Sequence, residues 1–241
     1  KPQGGGMRRA YWSVAVAMPV TDANFSVASR LAGAAAGQAY FLSADAGGTN
    51  FAGTDLTKAI FQKTNLTEAD FSGASAAKVL FVASGGKKVN FSGADLFNVR
   101  ILNESAFPDS NFRNAKAQKA SWMKSDLAGC DFRGLDIKRG LVQECRLTGA
   151  NLTGVTAREA RFTKSDLSDA NCRELKLFQG SLRKSKLVRT DLRAANLYGV
   201  EFFRTGVGET KFDGANLKMT KLHKRTDLLP EHKAAKKTLD E

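Results

Sequence analysis

The sequence predicts an all-β fold of one kind, a four-sided parallel β-helix of about ten coils with short terminal caps. A large apolar residue recurs at every fifth position, with a small residue two positions before it. One such run is Leu127, Phe132, Ile137, Val142 and Leu147. In addition, a phenylalanine returns every twenty residues, as at Phe51, Phe71 and Phe91. A period of five fits neither a helix nor a strand, so the chain must turn every five residues, and four such sides close one coil.

The repeat extends over residues 23–222, which we predict to be one domain. Its register slips by one residue near Ser26–Arg30 and again at Leu102–Phe107. Coils stacked about 4.8 Å apart would pair as parallel strands, so that the backbone N–H and C=O groups of one coil bond to the next. The interior would be a dry stack of Phe and Leu side chains, and each coil would contact only its neighbours.

The two ends of the chain do not follow the repeat. Residues 1–22 are expected to form an N-terminal cap over the open first coil, or to be a processed or added segment. Residues 223–241 are expected to form a C-terminal tail, with a short helix after Pro230 as one alternative.

Two irregularities interrupt the repeat and are candidate loop or bulge sites. In the segment SGGKK, Gly86 takes a position that belongs to a large apolar residue, so this side is expected to be flattened or looped out. In the segment LNESAFP there is one extra residue before Pro108, and a bulge is expected there. Such sites either bind partners or are tolerated insertions. The candidate residues are Ser84, Gly85, Gly86, Lys87, Lys88, Asn103 and Pro108.

Residues that could perform catalysis or hold a metal do not form a recognisable arrangement. Cys130 and Cys145 fall on small inward positions and Cys172 on a large inward position, so all three are interpreted as buried core residues. Both histidines lie in the C-terminal tail, and no phosphate-binding or dinucleotide-binding motif occurs. Most Asp residues precede a large apolar residue, where they are typical of turns. We therefore predict that the protein is not an enzyme and binds no cofactor or metal.

The net charge of +13 is the main functional signal. When the sequence is folded onto a twenty-residue coil, cations recur in two outward columns. The first column contains Lys124, Lys164, Lys184, Arg204 and Lys224, with Glu144 as an interruption. The second column contains Arg113, Arg133, Arg173 and Arg193. Since like charges on neighbouring rungs repel one another, the columns indicate either a partner surface or a solvated face that prevents edge pairing.

The repeated pattern A(D/N)Lxx, present as ADLFN, CDFRG, ANLTG, AANLY and GANLK, resembles the pentapeptide-repeat family. The resemblance extends over about 200 of the 241 residues and implies a right-handed quadrilateral β-helix. Some members of this family resemble DNA in shape and acidic charge and act on DNA gyrase, but the basic charge of this chain argues against such mimicry. The C-terminal repeats also resemble pentapeptide-repeat accessory proteins of bacterial type VI secretion, which implies an adaptor role.

From these observations we predict a non-enzymatic scaffold that acts by protein–protein interaction with an acidic partner. One alternative is electrostatic, sequence-indifferent nucleic-acid binding. Another is a structural subunit of a large organellar complex. No run of eighteen apolar residues is present, so no membrane span is expected. The expected location is the cytoplasm, with a processed organellar protein as the alternative.

Overall fold

The computed structural model describes residues 19–21 and 32–224, with side chains described for residues 32–222. This part of the chain is a parallel β-helix, as predicted. One side of the coil forms an eight-stranded sheet in which each strand pairs with the next in sequence. The strands are β1 (Pro19–Thr21), β2 (Tyr40–Leu42), β3 (Ile60–Gln62), β4 (Leu80–Val82), β5 (Arg100–Leu102), β6 (Ser121–Met123), β7 (Leu141–Gln143) and β8 (Arg161–Thr163). A 3-10 helix, Lys221–Lys224, follows the last coil.

Each coil has four sides, named faces 1 to 4 in the order in which the chain passes through them. Face 1 is the side that contains the strands, and the chain turns a corner after each face. The inward residues of face 1 are Phe41, Phe61, Phe81, Ile101, Trp122, Val142, Phe162, Leu182 and Phe202. Those of face 3 are Phe51, Phe71, Phe91, Phe112, Phe132, Leu152, Cys172, Leu192 and Phe212. These positions mark nine coils within residues 32–224, slightly fewer than the ten predicted.

Aromatic rings fill the first half of the core. On face 1 the rings of Phe41 and Phe61 stack with centroids 4.5 Å apart, and on face 3 those of Phe51 and Phe71 stack at 4.6 Å. Rings of the two faces meet edge to face, as Phe51 and Phe61 do at 5.9 Å. Leu, Val and Ala fill most of the second half, so one continuous apolar core follows the axis of the rod.

On faces 2, 3 and 4 the residue before the large inward residue is commonly Asp or Asn, and it closes a turn. The side-chain Oδ1 accepts a hydrogen bond from the backbone N–H two residues later. Asn50 accepts from Ala52 at 2.8 Å, and Asp95 accepts from Phe97 at 3.0 Å. The Asp residues therefore have the turn role that their position in the repeat predicts.

Face 1 has neither Asp nor Asn at this position, and from β1 to β8 its residues are extended as strands, whereas Ser181 and Glu201 of the last two coils form single bridges. At the corner that follows, the small inward residue is usually Ser or Thr. The Ser84 hydroxyl accepts from the backbone N–H of Thr64 at 2.9 Å and donates to the carbonyl of Phe61 at 3.0 Å. Ser165 likewise accepts from the N–H of Cys145 at 3.2 Å. At these corners a hydroxyl of the next coil thus accepts the corner N–H, which at most other corners donates to the backbone carbonyl three residues earlier.

We name this row of corner residues the hydroxyl ladder. It consists of Thr64, Ser84, Ser105, Ser125, Ser165, Ser185 and Thr205, with Cys145 in one coil. The N–H of Ser165 donates to the Ser185 hydroxyl at 3.1 Å in a coil whose face 1 is a strand, whereas the N–H of Ser185 donates to the carbonyl of Leu182 at 3.2 Å in a coil without one.

The extra residue of the repeat lies in the corner after β5. Along face 1 the pairing distance in sequence changes from twenty, between Phe81 and Ile101, to twenty-one, between Ile101 and Trp122. Asn103 and Glu104 both have left-handed backbone, with φ of 54° and 61°. The predicted bulge is therefore a corner widened by one residue, and every later face keeps its inward and outward positions.

Gly86 keeps the backbone hydrogen bond that joins its coil to the next, so the SGGKK side is flattened rather than looped out. The N–H of Gly86 donates to the carbonyl of Ala106 at 2.9 Å. A Cβ at Gly86 would lie 2.1 Å from the backbone nitrogen of Thr67. Gly85 has φ of 155°, and a Cβ there would lie 1.9 Å from the carbonyl oxygen of Ala106. Only glycine fits at these two positions.

The sheet of face 1 includes a strand from the segment that is expected to form the N-terminal cap. Pro19–Thr21 form β1, and Val20 pairs with Phe41. This offset of twenty-one residues agrees with the slip predicted near Ser26–Arg30. Residues 1–18, residues 22–31 and the predicted tail beyond residue 224 lie outside the described residues.

Candidate interaction surface

The arginine column of face 3 is largely paired with carboxylates. Arg133 Nε donates to Asp131 Oδ1 at 2.9 Å, and Arg193 Nε donates to Asp191 Oδ1 at 2.9 Å. Arg113 lies 3.7 Å from the same Asp131 carboxylate. The guanidinium hydrogen bonds lower the pKa of both Asp131 and Asp191. These three arginines are therefore largely neutralised by their own face.

The other predicted column lies at the corner after face 1, where the backbone is left-handed. The φ angle is 51° at Lys124, 54° at Lys164, 57° at Lys184 and 55° at Arg204, and all four side chains are exposed. Lys164 Nζ donates to Glu144 Oε1 at 2.9 Å. This hydrogen bond holds the pKa of Glu144 below its ordinary value.

Four of the predicted cations remain unpaired. Lys124, Arg173, Lys184 and Arg204 form no salt bridge with any carboxylate of residues 32–222. Lys224 ends the 3-10 helix, and its side chain lies outside the described residues. The structure therefore divides the other eight predicted cations into four paired and four unpaired residues, which the sequence did not distinguish.

Outward aromatic rings in the second half of the rod are partly covered by cations or by one another. The rings of Phe178 and Tyr198 stack with centroids 5.2 Å apart, and the Arg158 guanidinium lies 5.3 Å from the Phe178 centroid. Phe203 is 45% exposed and has the Arg204 guanidinium 5.2 Å from its ring centroid. Rings engaged in this way offer less free surface for stacking with nucleic-acid bases.

Charge is distributed unevenly along the rod. Residues 32–112 contain 6 Lys or Arg and 7 Asp or Glu, a net charge of −1. Residues 113–224 contain 23 Lys or Arg and 12 Asp or Glu, a net charge of +11. Both predicted columns lie in this C-terminal half.

The predicted loop residues border an open depression on face 2 with a volume of about 530 Å³. Its lining includes Ser84, Gly85, Gly86, Lys87 and Pro108, but neither Lys88 nor Asn103. Lys63 and Glu104 face the same depression. Two lysines and one glutamate leave the site only weakly basic.

The three cysteines are buried free thiols. Burial raises the pKa of Cys130 to about 12, that of Cys145 to about 11 and that of Cys172 to about 12, so the reactive thiolate form is disfavoured. Among the described residues, no group of three or more His, Cys, Asp or Glu side chains is placed to hold a metal ion. The described part of the chain also contains no helix with the length and apolar character needed to cross a membrane.

The outer side of face 1 was missed by the sequence reasoning. Its strands read Tyr-Phe-Leu, Ile-Phe-Gln and Leu-Phe-Val in β2, β3 and β4, so the residues on both sides of the inward Phe are mostly apolar. On the other faces the preceding position is commonly Asp or Asn. Comparing these flanking positions face by face would have found the difference in the sequence.

Comparison with known proteins agrees with this geometry. The sequence model described as pentapeptide repeats matches residues 30–78, 107–139 and 145–182, in eight copies. A trypsin-treated variant of QnrB1, described as a plasmid-mediated fluoroquinolone resistance protein, aligns with a TM-score of 0.56 at 16% identity. The alignment covers 78% of this chain and 94% of QnrB1.

HetL is a second similar structure. It is described as a pentapeptide repeat protein involved in heterocyst differentiation regulation in the cyanobacterium Nostoc sp. strain PCC 7120. HetL aligns with a TM-score of 0.40 at 20% identity, over 86% of this chain and 85% of HetL. A search of curated protein sequences found no match. Nothing in these matches supports the narrower resemblance to type VI secretion accessory proteins.

Proposed function

Because the chain belongs to the pentapeptide-repeat family, we propose that it is a non-enzymatic scaffold that binds a partner protein with an acidic surface. The observation that carries the proposal is the net charge of +11 on residues 113–224, against −1 on residues 32–112. A charge excess spread over the whole surface would serve solubility equally well. Its restriction to one half of the rod favours a specific contact region.

The unpaired cations define the centre of this region. Lys184 and Arg204 occupy equivalent corners of successive coils, and Lys124 occupies the same corner nearer the middle of the rod. Successive coils lie about 4.8 Å apart, so these charges have fixed spacing along the axis. Cations held in this way complement a row of carboxylates on a partner and raise the rate of encounter.

The rod also suits a scaffold because its surface is preformed. Hydrogen bonds between coils hold the backbone of most corners, including those at Lys184 and Arg189. A partner that docks on such a surface orders few additional groups, so less of the interaction energy is lost to conformational entropy.

Nucleic-acid binding is the competing function, since cations in rows also neutralise phosphates. The stacked pair Phe178 and Tyr198 favours it, because outward aromatic rings can stack with bases. The cations over Phe178 and Phe203 oppose it, because they occupy ring surface that bases would need. Copurification with and without nuclease separates the two functions.

The test is to isolate the protein from its native cells under mild conditions and identify what copurifies, with and without nuclease, at low and moderate salt. We expect a discrete acidic protein that remains after nuclease treatment. Nucleic acid that disappears with nuclease or moderate salt, with no discrete protein left behind, would replace the scaffold function with electrostatic nucleic-acid binding.

A further inference from the structure

The outer side of face 1 from β2 to β7 is an apolar strip in a molecule whose other faces are polar. Its apolar outward residues are Tyr40, Leu42, Ile60, Leu80, Val82, Leu102, Met123 and Leu141. Their side chains are only partly exposed, because neighbouring rungs cover their flanks. Arg100 is the only charged residue among the outward positions of β2 to β7.

The fold itself does not require these apolar residues. The equivalent outward positions of face 3 carry Asn50, Asp70 and Asn90, and the coils stack there equally well. A sheet face directed at water normally carries polar residues. The strip therefore indicates a surface that is covered by another segment when the protein functions.

A row of cations borders the strip on one side. Lys58, Lys78 and Lys119 lie at the corner before face 1. The corner after face 1 is mixed in charge, since Glu104 and Glu144 share it with two lysines. The three lysines before face 1 form no salt bridge with residues 32–222, and Lys119 Nζ lies 5.5 Å from the centroid of the Phe97 ring. A fitting occupant is therefore apolar along its middle and acidic along the edge that meets this row.

The dimensions of the strip match one α-helix. From β2 to β7 there are five rung spacings of about 4.8 Å, which gives a length of about 24 Å. A helix of about 16 residues has this length. The strip is one three-residue strand wide, about 10 Å, and a helix with its side chains has a diameter of about 10–12 Å.

We propose that the apolar strip binds an amphipathic helix of a partner protein, with Asp or Glu along one side of the apolar stripe of that helix. The basic edge gives the orientation, since acidic residues of the helix meet Lys58 and Lys78 there. This site is separate from the Lys184 and Arg204 region, and it does not depend on the function proposed for that region.

A second copy of this chain fits the strip less well. In an antiparallel face-to-face pair the lysine row at one edge would oppose the same row of the other copy, and like charges repel.

The test uses the full chain and a labelled synthetic 18-residue helical peptide with Leu at positions i, i+3, i+4 and i+7 and Glu along one flank of this stripe. Fluorescence anisotropy should show saturable binding. The double variant Leu80→Gln with Leu102→Gln should weaken it at least tenfold, and Lys58→Glu with Lys78→Glu should also weaken it at least tenfold. Lys87→Glu, a reversal on face 2 outside the strip, should bind as the unchanged chain does.

Two peptides provide the controls for sequence and charge. A peptide of the same composition in scrambled order should not bind, and one with Lys in place of Glu should bind at least tenfold more weakly. Circular dichroism confirms that each variant is folded; the lysine pair lies at exposed corners and so remains informative even if the leucine pair does not fold.

Several results would overturn the proposal. These are absence of saturable binding, equal binding of the scrambled peptide, or equal binding by all variants. Self-association of the chain that Leu80→Gln with Leu102→Gln abolishes would assign the strip to a second copy. Peptide binding that appears only after deletion of residues 1–18 would assign it to that segment. Binding to anionic lipid vesicles in preference to the peptide would assign it to a membrane surface.

Discussion

Phe132 illustrates what a single inward residue contributes. Its side chain is fully buried, with the ring centroid 5.1 Å from that of Phe112 and 5.7 Å from that of Trp122. Because its ring neighbours belong to two faces of the stack, Phe132→Ala leaves a cavity that cannot easily close. We expect the free energy of unfolding to fall by about 3–5 kcal/mol, measured by urea denaturation. Arg133→Ala, at the exposed position next to it, should lower it by no more than about 1 kcal/mol. A loss below about 1 kcal/mol for Phe132→Ala would contradict the stacking.

Asp131 has two separable roles, since it accepts the turn hydrogen bond and pairs with Arg133. Its pKa is lowered in the folded state, so the ion pair stabilises the protein above the unfolded-state pKa of about 3.9. That contribution is lost as the pH falls through the lower folded-state pKa. Asp131→Asn retains the turn, because an amide oxygen can accept the same bond, as Asn151 does from Thr153 at 3.1 Å.

For Asp131→Asn we expect a change of less than about 1 kcal/mol at neutral pH and a shallower loss of stability below about pH 4. Thermal unfolding across this pH range measures both. Asp131→Ala, which removes the turn bond as well, should be the less stable variant at neutral pH. An unchanged slope in acid for Asp131→Asn would contradict the role of the ion pair.

The inward residues could be predicted from the sequence because one period governs them all. The ion pairs were not predicted, although the signal was present. Asp131 and Arg133 flank an inward residue and therefore emerge on the same side of the same face. The cation columns run along the axis from coil to coil and indicate repulsion between rungs, whereas the Asp131–Arg133 pair attracts within one rung.

At the scale of the element, the hydroxyl ladder accompanies most strands of face 1. The N–H of Cys145 donates to the Ser165 hydroxyl where face 1 forms β7, whereas the N–H of Ser185 donates to a backbone carbonyl where face 1 forms no strand. Sequence reasoning grouped Ser, Thr, Cys and Ala together as small inward residues, because all fit the space. Their hydrogen bonds distinguish them, and the period alone contains no information about hydrogen bonds.

Ser165→Ala tests the ladder. The buried N–H of Cys145 would lose its acceptor, and an unsatisfied buried donor costs about 1–3 kcal/mol. We expect a loss of this size in urea denaturation. Ser168→Ala, three residues later on the outer side of face 2, should change the stability by less than about 0.5 kcal/mol. Equal effects of the two substitutions would show that the hydroxyl of Ser165 is not needed.

At the scale of the whole molecule, the rod combines two surfaces of different character. The apolar strip lies along the N-terminal half, whose net charge is close to zero, and continues to β7, and the excess of positive charge lies in the C-terminal half. The repeat and its total charge could be predicted from the sequence. The distinction between free and paired cations required side-chain positions, because each Arg has several carboxylates within one or two rungs.

Charge reversal of the corner residues tests the scaffold function. Lys184→Glu with Arg204→Glu should leave the melting temperature unchanged within about 2 °C, since neither residue forms a salt bridge with residues 32–222. The same double variant should capture at least tenfold less of the copurifying protein. Lys164 is left intact because its reversal would place Glu against Glu144. The matched reversal of Lys87 and Lys88 should have no effect; loss of capture there instead would move the contact site to the depression on face 2.

Trp122 is 1% exposed among phenylalanine rings midway along the rod, and its indole N–H has no hydrogen-bond partner among the described residues. An indole in such dry surroundings emits light at short wavelength, and its emission moves to the red when water reaches it. The chain has one other tryptophan, Trp12. A Trp12→Phe variant would therefore contain a single optical reporter at the centre of the molecule. The shift in its emission wavelength would report the opening of the central coils, whereas circular dichroism reports unfolding of the whole backbone.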